Sequence, residues 1–281
     1  ILRTATLPRQ GADNYENCDL EQMLAPDFGI DLNDLFPIPA NMPPMPEGVL
    51  LGSLRTIAQS HPELVSKYYG HAADIHNPVV ALNTMLVRDG LMLYVPKGVA
   101  LKSPIQLINV LNDVRPLMSI RRILVVLDEG AEAGLMVCDR TQRDNVDYLA
   151  LQTVELFVGS NATLHYYDLE ESSDHTGRIS SLYLRQERDS RVTVNGHTLF
   201  NGTTRNEYHC RFMGENASLK LYGMAIEDCQ RHISTYSRIE HGVPRCHSDE
   251  LFKISADGES RCAFTGRIVV EEGAVLSLIH I

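Results

Sequence analysis

The sequence predicts an all-β fold, a parallel β-helix with a small, partly helical region on its N-terminal side. Three observations predict it. Short strands of period two run from Leu91 onward, long amphipathic helices are absent over that stretch, and a glycine-led turn recurs along it. The first ninety residues follow a different pattern. The chain therefore divides into a helical and extended region at 1–90, a β-helix core at 91–274 and an atypical tail at 275–281.

The elements follow from local chemistry. Pro37 to Gly48 carries five prolines and reads as an extended connector, because proline lacks the amide donor that a helix needs. A helix is expected over Pro62–Tyr69, entered from Ser60 or His61, with Pro62 at its first position and Gly70 closing it. A second runs over Pro78–Met85, capped by Asn77, with Leu82, Met85 and Leu86 on one face. Beyond the turn at Pro96-Lys97-Gly98, alternating apolar or β-branched residues mark strands at Ile123–Leu127, Val154–Val158, Ser181–Leu184 and Val192–Val194. The same alternation marks Leu219–Leu221, Ile233–Ile239 and Arg267–Val270.

The repeat separates the β architectures. Gly130-Ala131-Glu132-Ala133-Gly134-Leu135 resembles Gly159-Ser160-Asn161-Ala162-Thr163-Leu164 and Gly214-Glu215-Asn216-Ala217-Ser218-Leu219, with looser copies at Gly258 and Gly273. Uneven coils of about two dozen residues, each stacked on its neighbour, suit a parallel β-helix better than a propeller. A β-sandwich with look-alike turns is the alternative.

Composition limits the function classes. With 44% hydrophobic and 22% charged residues the chain is globular, and its net charge of −11 argues against nucleic acid. No stretch approaches the ~20 apolar residues of a membrane helix. Six widely spaced cysteines without a signal core read as reduced thiols in a cytoplasmic protein. There is no phosphate-binding Gly-x-x-x-x-Gly-Lys-Ser/Thr loop, nucleophile elbow, zinc helix or Cys-x-x-Cys pair. The acidic pairs Glu170-Glu171 and Glu271-Glu272 read as solvated surface, and Tyr68-Tyr69 and Tyr166-Tyr167 as packing residues.

One segment concentrates soft metal ligands: His209, Cys210, Cys229, His232, His241, Cys246, His247 and Cys262. Adjacent residues on a strand point to opposite faces, so His209-Cys210 and Cys246-His247 are poor chelating pairs, and buried cysteine packs as a small hydrophobe. Stacking between coils could still join distant residues such as Cys210 and His232. Cys246 and His247 are the weak candidates, because the Gly242–Pro244 turn beside them points to exposure; no permanent metal ligand, catalytic residue or bound cofactor is assigned.

An ordered series of segments resembles the SufB/SufD family. It runs from Asp27–Leu35 through Ala81-Leu82-Asn83-Thr84, Asp89-Gly90, Tyr94-Val95-Pro96-Lys97-Gly98-Val99, Ser103-Pro104-Ile105 and Glu155 to Ala162. The densest part lies between His232 and Gly273, with Glu240-His241-Gly242-Val243-Pro244, Ser248 and Phe264-Thr265-Gly266-Arg267-Ile268-Val269-Val270. The last of these segments is similar to the D-type subunit. The resemblance implies a right-handed parallel β-helix with helical ends, acting as a scaffold for iron–sulfur cluster assembly and not as an enzyme. It implies a SufB-type paralogue and a SufC-type ABC ATPase as partners, with iron or a cluster held only transiently. The tail after Ala274 departs from the family pattern, and the family's Cys-Ser-His-Gly-Ala stretch and ATPase-contacting helices are expected beyond Ile281, so both ends read as incomplete. Two other functions stay open. A β-helical carbohydrate-active enzyme is disfavoured by the absence of tryptophan and by 6% aromatic content, and a purely structural heterodimer partner is not separated from the scaffold by sequence.

Overall fold

The computed structural model describes residues 45–274 and the backbone of 279–280. Its chain winds between two facing sheets. One sheet takes the even-numbered strands: β2 (Gly90–Val95), β4 (Leu117–Leu127), β6 (Tyr148–Val158), β8 (Thr176–Gln186), β10 (Thr203–Phe212), β12 (His232–His241) and β14 (Arg261–Val270). The other takes the odd-numbered ones: β3 (Ile105–Leu111), β5 (Glu132–Thr141), β7 (Thr163–Glu171), β9 (Arg191–Phe200), β11 (Ser218–Glu227), β13 (His247–Ala256) and β15 (Ile279–His280). Among the described residues only β1 (Leu50–Ser53), at the outer edge of the even sheet beside β2, pairs antiparallel. From β2 onward, strands that are consecutive in sequence lie in opposite sheets, which makes the molecule a parallel β-solenoid of about six turns. The sandwich alternative is excluded, since a sandwich is built from antiparallel strands.

Equivalent side chains stack from coil to coil. On the even sheet Leu93, Val125, Leu156, Leu184, Cys210 and Ile239 stand in register, all pointing inward and all nearly or fully buried. Leu135, Tyr166, Val194 and Leu221 form the facing column of the odd sheet. Each fully buried aliphatic side chain contributes roughly 1.5–3 kcal/mol of transfer free energy, and the stacking lets neighbouring coils share it.

The turns explain the repeat and correct it. A left-handed residue recurs at one edge of the solenoid: Gly98, Gly130, Asn161, Asp189, Asn216, Arg245 and Gly273. Coil length accordingly runs from 32 residues (Gly98 to Gly130) down to 27 (Asp189 to Asn216), longer than the predicted two dozen, because each coil holds two strands of about ten residues and two turns. Gly159 and Gly214 are equivalent to one another, two residues ahead of that position, whereas Gly130 occupies it. The copy beginning at Gly130 is therefore two residues out of register. The copy at Gly258 belongs to the opposite edge, stacked with Cys229. At Gly214 the reason for glycine is contact: a Cβ there would lie 2.0 Å from the backbone nitrogen of Arg188.

Three helices form a layer over the outer face of the even sheet: α1 (Leu54–Ser60), α2 (Pro62–Tyr68) and α3 (Pro78–Leu86). The predicted Asn77 cap is present, its side chain accepting from the Val79 amide at 2.9 Å. α1, absent from the sequence reading, is capped by Ser53. Leu82 and Leu86 pack on Met118, Ile120, Leu149 and Leu151, but Met85 is 72% exposed, so it does not share their face. Part of the predicted connector, residues 37–44, lies outside the described residues, as do Cys18, the family segment Asp27–Leu35 and most of the tail; within the tail, Ile279–His280 pairs with Ser248 and Asp249.

A buried ion pair latches this layer to the solenoid. The Glu155 carboxylate accepts the amides of Gly70, Ala72 and Ala73 at 2.9, 3.0 and 3.1 Å and meets Arg122 Nη2 at 2.6 Å. Asn83 and Thr84 of α3 accept from the same guanidinium, and the Asn83 amide donates to the Arg121 carbonyl at 2.9 Å. Four residues of the family-resembling segments (Asn83, Thr84, Asp89 and Glu155) are thus docking contacts. Asp89 holds the Ser53 hydroxyl at 2.6 Å at the start of α1.

Candidate functional site

The solenoid interior is not apolar throughout. Toward the strand ends of the odd sheet and the strand starts of the even sheet, the inward positions become polar and charged. The alternation that points Leu135 and Val137 inward also points Asp139 inward, and the one that buries Leu164 and Tyr166 buries Asp168 and Glu170. Register sets Val137 beside Asp168 and Asp139 beside Glu170. Arg178 enters from β8 on the facing sheet and is 2% exposed.

Arg178 is the hub. Its Nε donates to Asp139 at 2.8 Å, Nη2 donates to both Asp168 oxygens at 2.7 and 2.8 Å, and Nη1 donates to Asn206 at 2.9 Å. Glu170 lies 3.8 Å from Nη1. A second arginine, Arg121, grips Asp139 through Nη1 and Nη2 at 2.8 and 3.0 Å and donates from Nε to Gln152 at 2.7 Å. Asn109 adds a further donor to Asp139 at 2.9 Å. Burial disfavours the charged form of Asp139, but Arg121 and Arg178 outweigh it and hold the carboxyl well below the usual range.

Further along the interior the balance reverses. Glu170 accepts hydroxyls from Thr204 at 2.8 Å and Ser172 at 3.0 Å, yet burial pushes its pKa up to about 7 against Arg178. Glu227 is 1% exposed and neither of its carboxylate oxygens has a well-formed hydrogen bond. Burial, then the charge of Glu170, push it up to about 7, with the Asn201 amide opposing. Two guanidiniums face four carboxyls in this enclosed strip. Such an excess is relieved by protons, and at neutral pH Glu170 and Glu227 hold them in part.

The predicted ligands are dispersed. Cys246 is 1% exposed, not exposed as expected: it follows the left-handed Arg245, and the residue at that position is buried in the inner coils, as Ala131, Ala162, Ser190 and Ala217 are. Its thiol lies 3.4 Å from the Gly214 carbonyl, and burial raises its pKa. His247 begins β13 on the outward side, half-buried. Cys210 and His232 do not meet, since Cys210 pairs with Ile239 and His232 with Thr203. His209 points outward and stacks on Tyr183 at 4.6 Å. His241 points inward, 3.0 Å from the Ser248 hydroxyl and against the Phe212 ring. Cys229 is exposed in a turn and Cys262 half-buried on β14. Among the described residues, no three His, Cys, Asp or Glu side chains converge as a metal site.

Sequence reasoning missed the charged strip and misplaced one of its members. Glu170 was read as solvated surface with Glu171; it is 1% exposed inside the solenoid, while Glu171 points outward and pairs with Arg140. The signal was available in the parity of the strand, because Leu164, Tyr166, Asp168 and Glu170 share one face.

Comparison with known proteins places this architecture. The SufBD core domain of the SUF iron–sulfur cluster assembly system matches residues 109–278, and the SufBD N-terminal region matches residues 32–107. An iron–sulfur cluster assembly SufBD family protein of Synechocystis is 23% identical over 311 aligned positions, which cover 99% of this chain and 69% of that protein. The iron–sulfur cluster assembly protein SufD of Bacillus subtilis is 25% identical, over 76% of this chain and 55% of its own length. The chloroplastic protein ABCI7 of Arabidopsis thaliana is 23% identical, over 82% and 50%. The alignment thus spans only about half the length of the latter two proteins.

Proposed function

The chain belongs to the SufBD family of iron–sulfur cluster assembly proteins, and from that premise we propose that it is a SufD-like scaffold subunit working beside a SufB-type paralogue and a SufC-type ABC ATPase in the cytoplasm. The observation that carries the reading is the match of the SufBD core domain to most of the parallel solenoid, joined by similarity to a protein named SufD. In this reading iron and the nascent cluster are cargo, handled by the assembled complex and not kept by this subunit. The reading assigns the chain no reaction of its own. Its inward carboxylates support that assignment: Asp139, Asp168 and Glu170 are enclosed and tied to Arg178 or hydroxyls, leaving them unavailable to a sugar chain in a groove.

The test is anaerobic affinity purification of the tagged full-length protein, with mass identification of what co-elutes and iron and sulfide measured on the eluate. Recovery of a longer β-helical paralogue together with an ABC-type ATPase is expected. Recovery of the chain alone, under conditions where the tagged protein is folded, refutes the assignment.

A further inference from the structure

The helical layer covers the first strands of the even sheet and reaches β10 at Asn77, which donates to Glu207. Over most of β10, β12 and β14 no described residue covers the outward face, and five arginines occupy it (Arg205, Arg211, Arg238, Arg261 and Arg267) against three glutamates, Glu207, Glu240 and, just past β14, Glu271. This concentration of positive charge sits on a chain of net charge −11. All three glutamates are already engaged: Glu207 by Arg205 at 3.0 Å and by Asn77 at 3.1 Å, Glu240 by Arg238 and, at 3.7 Å, by Arg211, and Glu271 by Arg211 at 3.0 Å. Arg261 and Arg267 are exposed and in no ion pair among the described residues. Register places Arg267 directly beside Arg238, and the rings of His209 and Tyr236 lie against each other in the middle of the face with centroids 5.6 Å apart.

We propose that this face binds an acidic, extended polypeptide segment of a partner protein, with carboxylates at alternate residues. Outward side chains on one strand repeat at about 7 Å, the spacing of alternate side chains on an extended peptide laid along the strand. Neighbouring strands repeat at about 4.8 Å, so Arg238 and Arg267 can fork onto one carboxylate. Arginine suits this role better than lysine because its planar fork matches a carboxylate, and the outward positions of these three strands carry no lysine. The three glutamates within and beside the face disfavour a continuous phosphate backbone, whose charges recur at every unit, whereas a polypeptide can place its carboxylates at Arg261 and Arg267 alone.

Fluorescence anisotropy tests it with the full chain at low salt and a fluorescein-labelled alternating Glu-Thr peptide, a thymidine oligonucleotide of equal length serving as competitor class. The peptide is expected to bind, and the R261E/R267E variant to weaken it by about ten-fold or more, with far-UV circular dichroism unchanged. A K220E/K253E variant, altered on the outer face of the odd sheet, is expected to bind like the wild type. Should R261E/R267E not fold, R261Q/R267Q carries the test, with a loss of about three-fold or more expected. Equal affinity of wild type and the arginine variant, or an oligonucleotide bound more tightly than the peptide, overturns the proposal.

Discussion

Replacing Glu227 by glutamine removes a buried carboxyl whose ionised form the fold does not compensate. Its pKa is raised from 4.5 to about 7 in the folded chain, burial being the largest cause. At ~1.4 kcal/mol per pH unit, that rise makes ionising Glu227 cost the folded state up to ~3 kcal/mol. The sign follows from the raised value. The stability is fully present below pH 4.5, declines as the pH rises through about 7, and is gone above it. Glu227→Gln keeps the shape, loses the charge and stays beside the Asn201 side chain, whose oxygen has no hydrogen-bond partner. Urea unfolding followed by circular dichroism at pH 5 and pH 8 measures the effect. The variant is expected to match the wild type within ~1 kcal/mol at pH 5 and to exceed it by ~2–3 kcal/mol at pH 8, with unchanged denaturant slope. A variant less stable than the wild type at pH 8, or one with the wild type's full pH dependence, refutes the assignment of an uncompensated buried carboxyl.

Three further outcomes follow from the same interior. Glu155→Ala leaves Arg122 buried without its carboxylate and frees three backbone amides, so a loss of roughly 3–5 kcal/mol is expected. Limited proteolysis should then cut first within 54–86 while the solenoid persists, and uniform digestion would contradict the latch. Arg178→Met strands Asp139, Asp168 and Glu170 together, and thermal unfolding should show a loss of roughly 3–5 kcal/mol at pH 8 that shrinks at acid pH as the carboxylates protonate. Alkylation with peptide mapping should label Cys229 well before Cys138, Cys210 and Cys246, which are buried and whose pKa values burial raises. Early labelling of Cys246 would mean that its turn opens.

Local pattern carried the fold a long way. Period-two alternation located parts of most core strands but not β3, β10 or β13, Pro62, Pro78 and Asn77 marked the helix starts, and the glycine-led turns marked the solenoid. Residues that act through neighbours close in sequence leave such marks. The misreadings share a cause. Gly130 and Gly159 look equivalent because both precede a strand by a few residues, but the equivalent of Gly130 is Asn161, and only pairing between coils reveals it. Cys246 looks exposed beside Gly242 and Pro244, yet the left-handed Arg245 turns it inward. Met85 shares its helix with Leu82 and Leu86 but not their contacts, because it sits about 100° around α3 from Leu86, off the stripe that meets the sheet.

By itself the sequence determined which residues alternate, where turns fall and which family the series of segments resembles, because these depend on separations of a few residues. Tertiary structure decided what the inward charges meet. Asp139, Asp168 and Arg178 come from three strands in two sheets, and their salt bridges exist only because stacked coils hold facing walls in one register. The same stacking leaves both Glu227 carboxylate oxygens without a hydrogen-bond partner, and the charge of Arg231 does not outweigh its burial. Strand parity can tell which carboxyls turn inward, but only the completed solenoid decides which of them meets an arginine.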